Sequence, residues 1–342
     1  MSLPDPLQHL IGDKLDREMN WKSRCHRLNG YLPATCSSPV FIKREDELNA
    51  NAVGTKHRKY LSLLPTLEHN GNDRIILIGS AHSNNVMGLA QLLRSRGMDV
   101  SVLIKAPGNS RLMGNHLLLT MLLPPDRIEY ISHREWPQVM EIADQRVAEL
   151  NKRGVSATVI AEGGYNEAVL PGILTLAADL HRNIGELGID FTDIWSDSGT
   201  GVSAIGLLLG MRLLGLSEPR VHITLIAGSP DEFQHRYQQF AQWLTKLMQQ
   251  PLPPRCPEVR FMQPASAASY GSINKTILSE SWAIARQTGL LMDPVYSVKH
   301  FYTVKCAMER QAPTGPQLIL YNGGTLAMCG FQSALASQQP IV

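Results

Sequence analysis

Residues 74–85 read RIILIGSAHSNN, an apolar run that gives way to small and polar residues. The segment Ile75–Ile78 is continuously apolar, which is typical of a strand buried on both faces of a sheet. The Gly, Ser and Asn residues after it predict a loop at the end of the strand, and the residues beyond that loop predict a helix. The stretch therefore predicts a strand, loop and helix of the kind that builds a parallel α/β sheet.

Short apolar runs alternate with longer helical patterns along the whole chain. We interpret as buried strands the runs 74–80, 99–107, 127–132, 156–164, 191–201, 221–229, 258–264 and 317–324, together with PVFIKRED at 39–46. This alternation predicts the α/β class, with two open, mainly parallel sheets that are each flanked by helices. The length of 342 residues fits two domains at roughly 150 residues each.

The predicted domain division follows the two groups of strands. We assign residues 51–165 to a smaller α/β domain, and residues 1–50 together with 166–342 to a larger one. Within the larger unit, the proline-rich segment PLPPRCPE at 251–258 predicts a surface loop.

Composition limits the class of protein. The chain has 44% hydrophobic and 18% charged residues, a net charge of +2, and no basic run interleaved with aromatics, which argues against nucleic-acid binding. Its five cysteines are scattered and never in CxxC spacing, so we expect neither a disulfide framework nor a metal site. With no apolar signal core and no run near the ~20 apolar residues of a membrane span, we expect a cytoplasmic protein without a membrane partner.

Three strands end in unusually polar loops, namely GSAHSNN (79–85), WSDSGTGVSA (195–204) and LYNGGT (320–325). Each loop offers free backbone N–H groups and hydroxyls where a helix is predicted to begin, which suits a phosphate or a carboxylate. Ligands of open parallel sheets bind at these strand ends. The alternative is that the small residues only cap the helices that follow.

The second loop also fits a dinucleotide fingerprint, because Gly199, Gly201 and Ala204 match G-x-G-x-x-A after a strand. That fingerprint requires an acidic residue at the end of the next strand, where this chain has Leu225-Ile226-Ala227-Gly228. The loop carries more hydroxyls than a pyrophosphate turn needs, so a single terminal phosphate is the better match. A nicotinamide or flavin oxidoreductase remains the alternative.

A lysine beside a glycine turn supports a phosphate cofactor of another kind. Lys56, Arg58 and Lys59 crowd the predicted start of a helix, where the helix dipole disfavours cations. A monophosphate combined with such a lysine indicates pyridoxal phosphate, whose aldehyde forms a Schiff base with an amine of lowered pKa. We place Lys59 among solvated charges. The alternative interpretation of Lys56 is that it, too, is a solvated residue at the start of a helix.

Six segments occur in a characteristic order: IKREDELNANAVGTKHRKYL (42–61), HSNN (82–85), SDSGTG (196–201), SYG (269–271), DPVY (293–296) and NGG (322–324). Together they resemble the pyridoxal-phosphate enzymes of the D-cysteine desulfhydrase and 1-aminocyclopropane-1-carboxylate (ACC) deaminase group, of the tryptophan-synthase-β fold (fold type II). The resemblance runs from about Ile42 to Gly330. It implies that the larger domain binds pyridoxal 5'-phosphate and that the protein is a homodimer.

The resemblance also implies a role for individual residues. Lys56 carries the cofactor and exchanges the substrate proton, Ser83 is the catalytic serine that binds the substrate carboxylate, and Asn84 lies against the cofactor ring oxygen. The phosphate cup consists of Ser198, Gly199, Thr200 and Gly201, the catalytic tyrosines are Tyr296 and Tyr270, and the remaining cofactor contacts are Ser297 and Asn322.

Several positions depart from the family pattern. His82 replaces Gln, and Asn322 replaces the Thr of desulfhydrases or the Leu of ACC deaminases, whereas Ser297 resembles desulfhydrases and lacks the Glu of ACC deaminases. Glu162 and Tyr165 either face the substrate or are loop residues, and Asn322 is either a cofactor contact or a helix cap. We interpret His57 and His300 as surface histidines of helices.

These positions predict β-elimination from a small D-amino acid. The expected substrate is D-cysteine, which gives pyruvate, ammonia and hydrogen sulfide. The alternatives are ACC deaminase, another D-amino-acid lyase or dehydratase, and a non-catalytic protein that binds a small molecule.

Overall fold

The computed structural model describes residues 3–49, 53–108 and 112–338. The helices are α1 Asp5–Ile11, α2 Lys56–Asn70, α3 Asn84–Ser95, α4 Gly114–Leu122, α5 Val139–Lys152, α6 Leu170–Leu187, α7 Val202–Leu213, α8 Pro230–Met248, α9 Lys275–Thr288, α10 Ser297–Arg310 and α11 Gln332–Ala336. The strands are β1 Cys25–Arg27, β2 Val40–Arg44, β3 Arg74–Ser80, β4 Asp99–Lys105, β5 Ile128–Ile131, β6 Ala157–Ile160, β7 Asp193–Ser198, β8 Arg220–Leu225, β9 Val259–Met262 and β10 Gln317–Tyr321. None of the described helices is long and apolar enough to cross a membrane.

The smaller sheet has four parallel strands in the order β5-β4-β3-β6. Its central strands β3 and β4 are mostly buried, as their apolar runs predict. The prediction of full burial is wrong for β5 and β6, and also for β9 in the other sheet, because these are edge strands whose residues are mainly half-buried.

The larger sheet has six strands in the order β1-β2-β10-β7-β8-β9. All its neighbours are parallel except β1, a three-residue strand that lies antiparallel to β2 and is too short to be recognised from its sequence. Strand β2 comes from the PVFIKRED segment, as predicted. The α/β class with two mainly parallel sheets is therefore confirmed, whereas the domain boundaries at 51 and 165 stay a prediction. The segment 251–258 is an irregular, largely exposed loop.

Helix α2 is held against α6 at very short range. The apolar face of α2, formed by Tyr60, Leu63, Leu64 and Leu67, is buried. On α6, a Cβ at Gly172 would lie only 2.0 Å from the backbone oxygen of Arg58, so only glycine allows this approach. The packing fixes the first turn of α2, where Lys56 begins the helix.

A buried ion cluster explains part of the positive charge at the start of α2. Arg58 binds Glu45 through two bonds, Nε to Oε2 at 2.5 Å and Nη2 to Oε1 at 2.7 Å, and its Nη2 also donates to Asp179 Oδ2 at 2.9 Å. Lys43 Nζ donates to the same Asp179 oxygen at 2.6 Å. All four side chains are at most 1% exposed, so the cluster joins β2, α2 and α6 by compensated charges.

Candidate active site

The carboxyl ends of β3, β7 and β10 surround a cavity between the two sheets. Ten of the eleven predicted site residues line it: Lys56, Ser83, Asn84, Ser198, Gly199, Thr200, Gly201, Tyr270, Tyr296 and Asn322. The eleventh, Ser297, is buried behind this wall and its Oγ donates to the backbone oxygen of Gly323 at 3.2 Å. The three polar loops predicted from the sequence therefore meet at one place.

Lys56 is presented by a turn that is fastened to the end of β10. Gly54 has φ +59°, and a Cβ there would lie 1.9 Å from the backbone oxygen of Asn322. The N–H of Thr55 donates to that same oxygen at 3.0 Å. The amine of Lys56 lies 5.6 Å from the ring centre of Tyr296. Burial lowers the pKa of Lys56 and favours the neutral amine, while the carboxyl of Asp197 opposes this shift.

Lys59 lies in the same cavity, so the prediction that it sits among solvated charges is wrong. It is 3% exposed, and its Nζ donates to the backbone oxygen of Gly163 at 2.6 Å. Among the residues that the structure describes, no carboxylate forms an ion pair with it. Burial, with Lys56 nearby, lowers the pKa of Lys59 to about 7. A buried cation without an anionic partner is costly, and an anion in the cavity would remove that cost.

The predicted phosphate cup lies where β7 runs into α7. Gly201, at φ +88°, stands at the start of α7, and within the part of the chain that the structure describes no side chain caps the N–H groups of that helix end. The Oγ of Ser198 is buried without a hydrogen-bond partner among the described residues. At Gly199 an added Cβ would lie 3.0 Å from Tyr296 Cε1. Unpaired N–H groups, a free hydroxyl and close glycines are the features that bind a phosphate.

The loop after β3 is both a helix cap and a wall of the cavity. Ser83 Oγ accepts from the N–H of Val86 at 3.2 Å and so caps α3. Asn84 is held by Asn115, whose Nδ2 donates to Asn84 Oδ1 at 2.6 Å. The capping interpretation and the site interpretation of this loop are thus compatible.

The DPVY and SYG segments bring two tyrosines together. The hydroxyls of Tyr296 and Tyr270 lie 3.3 Å apart, and their rings meet edge to face at 6.0 Å. Asp293 holds the turn because its carboxylate accepts from the N–H groups of Val295, Tyr296 and Ser297. Burial, together with Tyr270, raises the pKa of Tyr296 well above its ordinary value, so Tyr296 is a protonated hydroxyl at neutral pH.

The sequence reasoning did not single out Asp197. This carboxyl is 8% exposed, lines the cavity and accepts from Asn322 Nδ2 at 2.8 Å. Burial raises the pKa of Asp197, against the effects of Asn322 and Lys56. An acidic residue at the end of an apolar strand was the available signal. Asn322 does not cap a helix: the short 3-10 segment Thr325–Phe331 follows Gly324.

Four further positions differ in their environment. Glu162 lines the cavity, whereas Tyr165 packs on Phe240 and Trp243 of α8. The prediction of surface histidines is wrong: His57 is 3% and His300 0% exposed. Burial lowers the pKa of His57 to about 4 and that of His300 to about 3, so both are neutral structural residues. Within the described ranges, no cluster of His, Cys, Asp or Glu is arranged to hold a metal ion.

Known proteins with similar sequences carry the same two names as the group that the sequence resembles. A protein of Pyrococcus abyssi that carries the provisional name 1-aminocyclopropane-1-carboxylate deaminase is 26% identical over 83% of this chain and 84% of its own length. The D-cysteine desulfhydrase of Serratia proteamaculans is 25% identical over 89% of this chain and 91% of its own. The resemblance seen in the sequence is confirmed. This chain is similar in sequence, over most of its length, to proteins named D-cysteine desulfhydrase and ACC deaminase.

A solved structure of an ACC deaminase homologue matches this fold with a TM-score of 0.80, at 22% identity, over 98% of this chain and all of the other. This match confirms the predicted fold type. The strand order of the larger sheet also differs from the classic order of dinucleotide-binding sheets, which removes support from the oxidoreductase alternative. No protein-family model matches the chain.

Proposed function

We propose that the protein is a pyridoxal-phosphate-dependent lyase that catalyses β-elimination from a small D-amino acid, D-cysteine being the leading substrate. The products are pyruvate, ammonia and hydrogen sulfide. The observation that carries the proposal is that one cavity holds the amines of Lys56 and Lys59, and that buried Lys59, beside the Ser198–Gly201 loop, has no carboxylate partner among the described residues.

The residues present fit the cofactor. A phosphate would give a counter-charge to Lys59 and partners to the N–H groups at the start of α7 and to the Ser198 hydroxyl, none of which finds one among the described side chains. Lys56 supplies the amine that binds the aldehyde, and Asn84 and Asn322 supply polar groups for the ring. When bound, pyridoxal phosphate supplies an electron sink for the charge that develops on the substrate α-carbon.

Different residues of the chain then abstract the proton, bind the carboxylate and protonate the leaving group. Burial lowers the pKa of Lys56 and so favours the neutral amine, and we assign to its Nζ the proton transfer from the substrate α-carbon. Ser83 and the N-terminal N–H groups of α3 bind the substrate carboxylate, because a helix N-terminus favours an anion. Tyr296, whose raised pKa keeps it protonated, and Tyr270 beside it supply a proton to the leaving sulfur.

ACC deaminase is the second candidate, and one contact supports keeping it. Ser297 and Asn322 are neutral, which favours elimination of a good leaving group over ring opening. Yet Asp197 accepts a hydrogen bond from Asn322, so an acid lies directly behind a residue that the resemblance makes a cofactor contact. The provisional name of the Pyrococcus abyssi relative supports the same alternative.

The test is turnover of four substrates by purified protein with saturating pyridoxal phosphate: D-cysteine, ACC, D-serine and β-chloro-D-alanine. Sulfide and pyruvate report D-cysteine elimination, and 2-oxobutanoate reports ACC opening. We expect D-cysteine to be the best of these four substrates. ACC turnover without D-cysteine turnover would establish the second candidate instead, and activity on none would support a binding protein.

A further inference from the structure

A second and larger cavity adjoins the candidate active site. Its volume is about 330 Å³, compared with about 90 Å³ for the first. Four residues line both spaces: Ser80, Asn84, Tyr270 and Tyr296. The tyrosine pair therefore stands between the Lys56 amine, which lines only the first cavity, and the second cavity.

The wall of the second cavity is largely apolar. Met113, Val295, Ala327 and Phe331 contribute hydrophobic side chains to it, and the principal polar additions beyond the shared residues are His82, Asn115 and Asp293. The carboxylate of Asp293 is already occupied by three backbone N–H groups. Burial lowers the pKa of His82, so this imidazole is neutral. The space is suited to an uncharged, hydrophobic group.

The wall is a built feature of the fold. Helix α4 approaches the segment Thr325–Phe331 so closely that a Cβ on Gly114, at φ +54°, would lie 2.9 Å from the Cα of Gly330. Asn115 ties α4 to the loop after β3, because its Nδ2 donates to the backbone oxygen of His82 at 3.1 Å and to Asn84 at 2.6 Å. These contacts hold the cavity open between elements of both sheets.

The thiol of D-cysteine would leave this space empty. A substrate whose α-carbon faces Lys56 and whose sulfur faces the tyrosine pair has its sulfur substituent directed into the second cavity. We propose, building on the function proposed above, that this cavity binds an apolar substituent on the leaving sulfur, so that the natural substrate class is S-alkyl- or S-aryl-substituted D-cysteine.

The reaction balances without a further co-reactant. The Cα–H bond breaks, the Cβ–S bond breaks, and the sulfur leaves with the bonding pair and takes up one proton to give the free thiol R–SH. The 2-aminoacrylate that is released adds one water and yields pyruvate and ammonium. The products differ from those of D-cysteine only in that a substituted thiol replaces hydrogen sulfide.

The experiment compares kcat/KM for S-benzyl-D-cysteine and D-cysteine in the holoenzyme. The wild-type protein should prefer the S-benzyl substrate. Ala327→Phe fills the cavity and should lower kcat/KM for S-benzyl-D-cysteine by about 10–200-fold, the range for misfit in a hydrophobic pocket, with little change for D-cysteine. The matched control is Ala336→Phe, an exposed position on α11 outside the cavity.

Each outcome decides something different. If D-cysteine is turned over but S-benzyl-D-cysteine is not, or if Ala327→Phe lowers both activities equally, the cavity assignment is overturned while the proposed function stands. Turnover of neither substrate by the wild type overturns the proposed function and this inference with it. Should Ala327→Phe fail to fold, Ala327→Leu makes the same comparison with a smaller side chain.

Discussion

Asn322 Nδ2 donates a 2.8 Å hydrogen bond to Asp197 Oδ1, while Asn322 Oδ1 is buried with no partner among the described residues. Because Nδ2 faces the carboxylate, the free carbonyl oxygen is the part of Asn322 that remains available to a ligand of the cavity. The pair fixes the orientation of an amide at the position where related desulfhydrases have threonine.

The two members of this pair should respond oppositely to substitution. Asn322→Leu removes the donor and leaves a buried carboxyl without it, so we expect a loss of about 1–3 kcal/mol in unfolding free energy. Asp197→Asn removes a carboxyl whose pKa burial raises. Because the folded pKa is the higher one, stability falls as pH rises above the unfolded pKa of about 3.9, so at pH 7 Asp197→Asn should be at least as stable as wild type. Denaturant unfolding of cofactor-free protein measures both; equal losses would contradict the assignment.

Lys56 should be the residue that carries the cofactor. We expect Lys56→Ala to lose the visible absorbance of the bound cofactor and all elimination activity. Lys246→Ala, at an exposed site on α8, is the matched control. Borohydride reduction followed by peptide mapping identifies the modified lysine directly. A pyridoxyl group on Lys59, which lies in the same cavity, would reverse the roles of the two lysines.

Lys59→Met should stabilise the cofactor-free protein and weaken its binding of the cofactor. An unfolded lysine keeps its proton to about pH 10.4, whereas buried Lys59 loses it near 7. Between these two pKa values the lysine is protonated in the unfolded state and neutral in the folded state, so the stability of the cofactor-free protein rises with pH. Below about pH 7 the folded state carries the full free-energy cost of a buried, protonated Lys59. Lys59→Met should therefore raise the melting temperature at pH 7 without cofactor, flatten its pH dependence and weaken pyridoxal-phosphate binding. Lys246→Met should change none of these properties.

Gly201 should be required for the phosphate cup. Gly201→Ala places a Cβ at φ +88°, 3.2 Å from Phe233, beside the N–H groups that face the cavity. We expect weaker pyridoxal-phosphate binding in titrations followed by absorbance. Gly215→Ala is the control, because Gly215 has φ +69° with no atom within 4 Å of a new Cβ, so it adds only the backbone strain of about 1–2 kcal/mol. Equal binding by both variants would count against the cup.

Burial of the Arg58 cluster should be visible in unfolding experiments. Arg58→Met leaves Glu45 and Asp179 with fewer cations in a buried place, and we expect a loss of about 3–5 kcal/mol. Arg24 binds Glu47 at the surface with its own side chain 68% exposed, so Arg24→Met should cost about 0–1 kcal/mol. Similar losses in the two variants would argue that the buried cluster is not a principal source of stability.

The fold and most of the candidate site followed from local sequence patterns. Apolar runs such as 74–80 are continuous because both faces of a central parallel strand are covered, and this pattern is local. The polar loops are recognisable for the same reason, because the apolar residues of a strand give way to Gly, Ser and Asn at the point in the sequence where the strand ends. Whether a strand lies at the edge of its sheet is not a local property, so the apolar runs of β5, β6 and β9 predict burial although these strands lie at sheet edges.

The errors concern charged and polar residues whose partners are distant in sequence. Lys59 and His57 lie in a charged segment that reads as solvated, but Lys59 faces Gly163, 104 residues away, and His57 bonds the backbone oxygen of Asn20. Asp197 is recognisable as a site residue only from its contact with Asn322, which lies 125 residues further along the chain. A single sequence shows which residues are polar and not which of them meet. The homodimer stays a prediction.

The ion cluster around Arg58 also limits how the chain can be divided. Arg58 lies within the segment 51–165, whereas Lys43, Glu45 and Asp179 all lie outside it. A cut at the predicted boundaries 51 and 165 thus separates an arginine from both of its counter-charges, two residues after Lys56. The segment that carries Lys56 cannot be transplanted into another protein as a self-sufficient module, because its neutralising acids would stay behind.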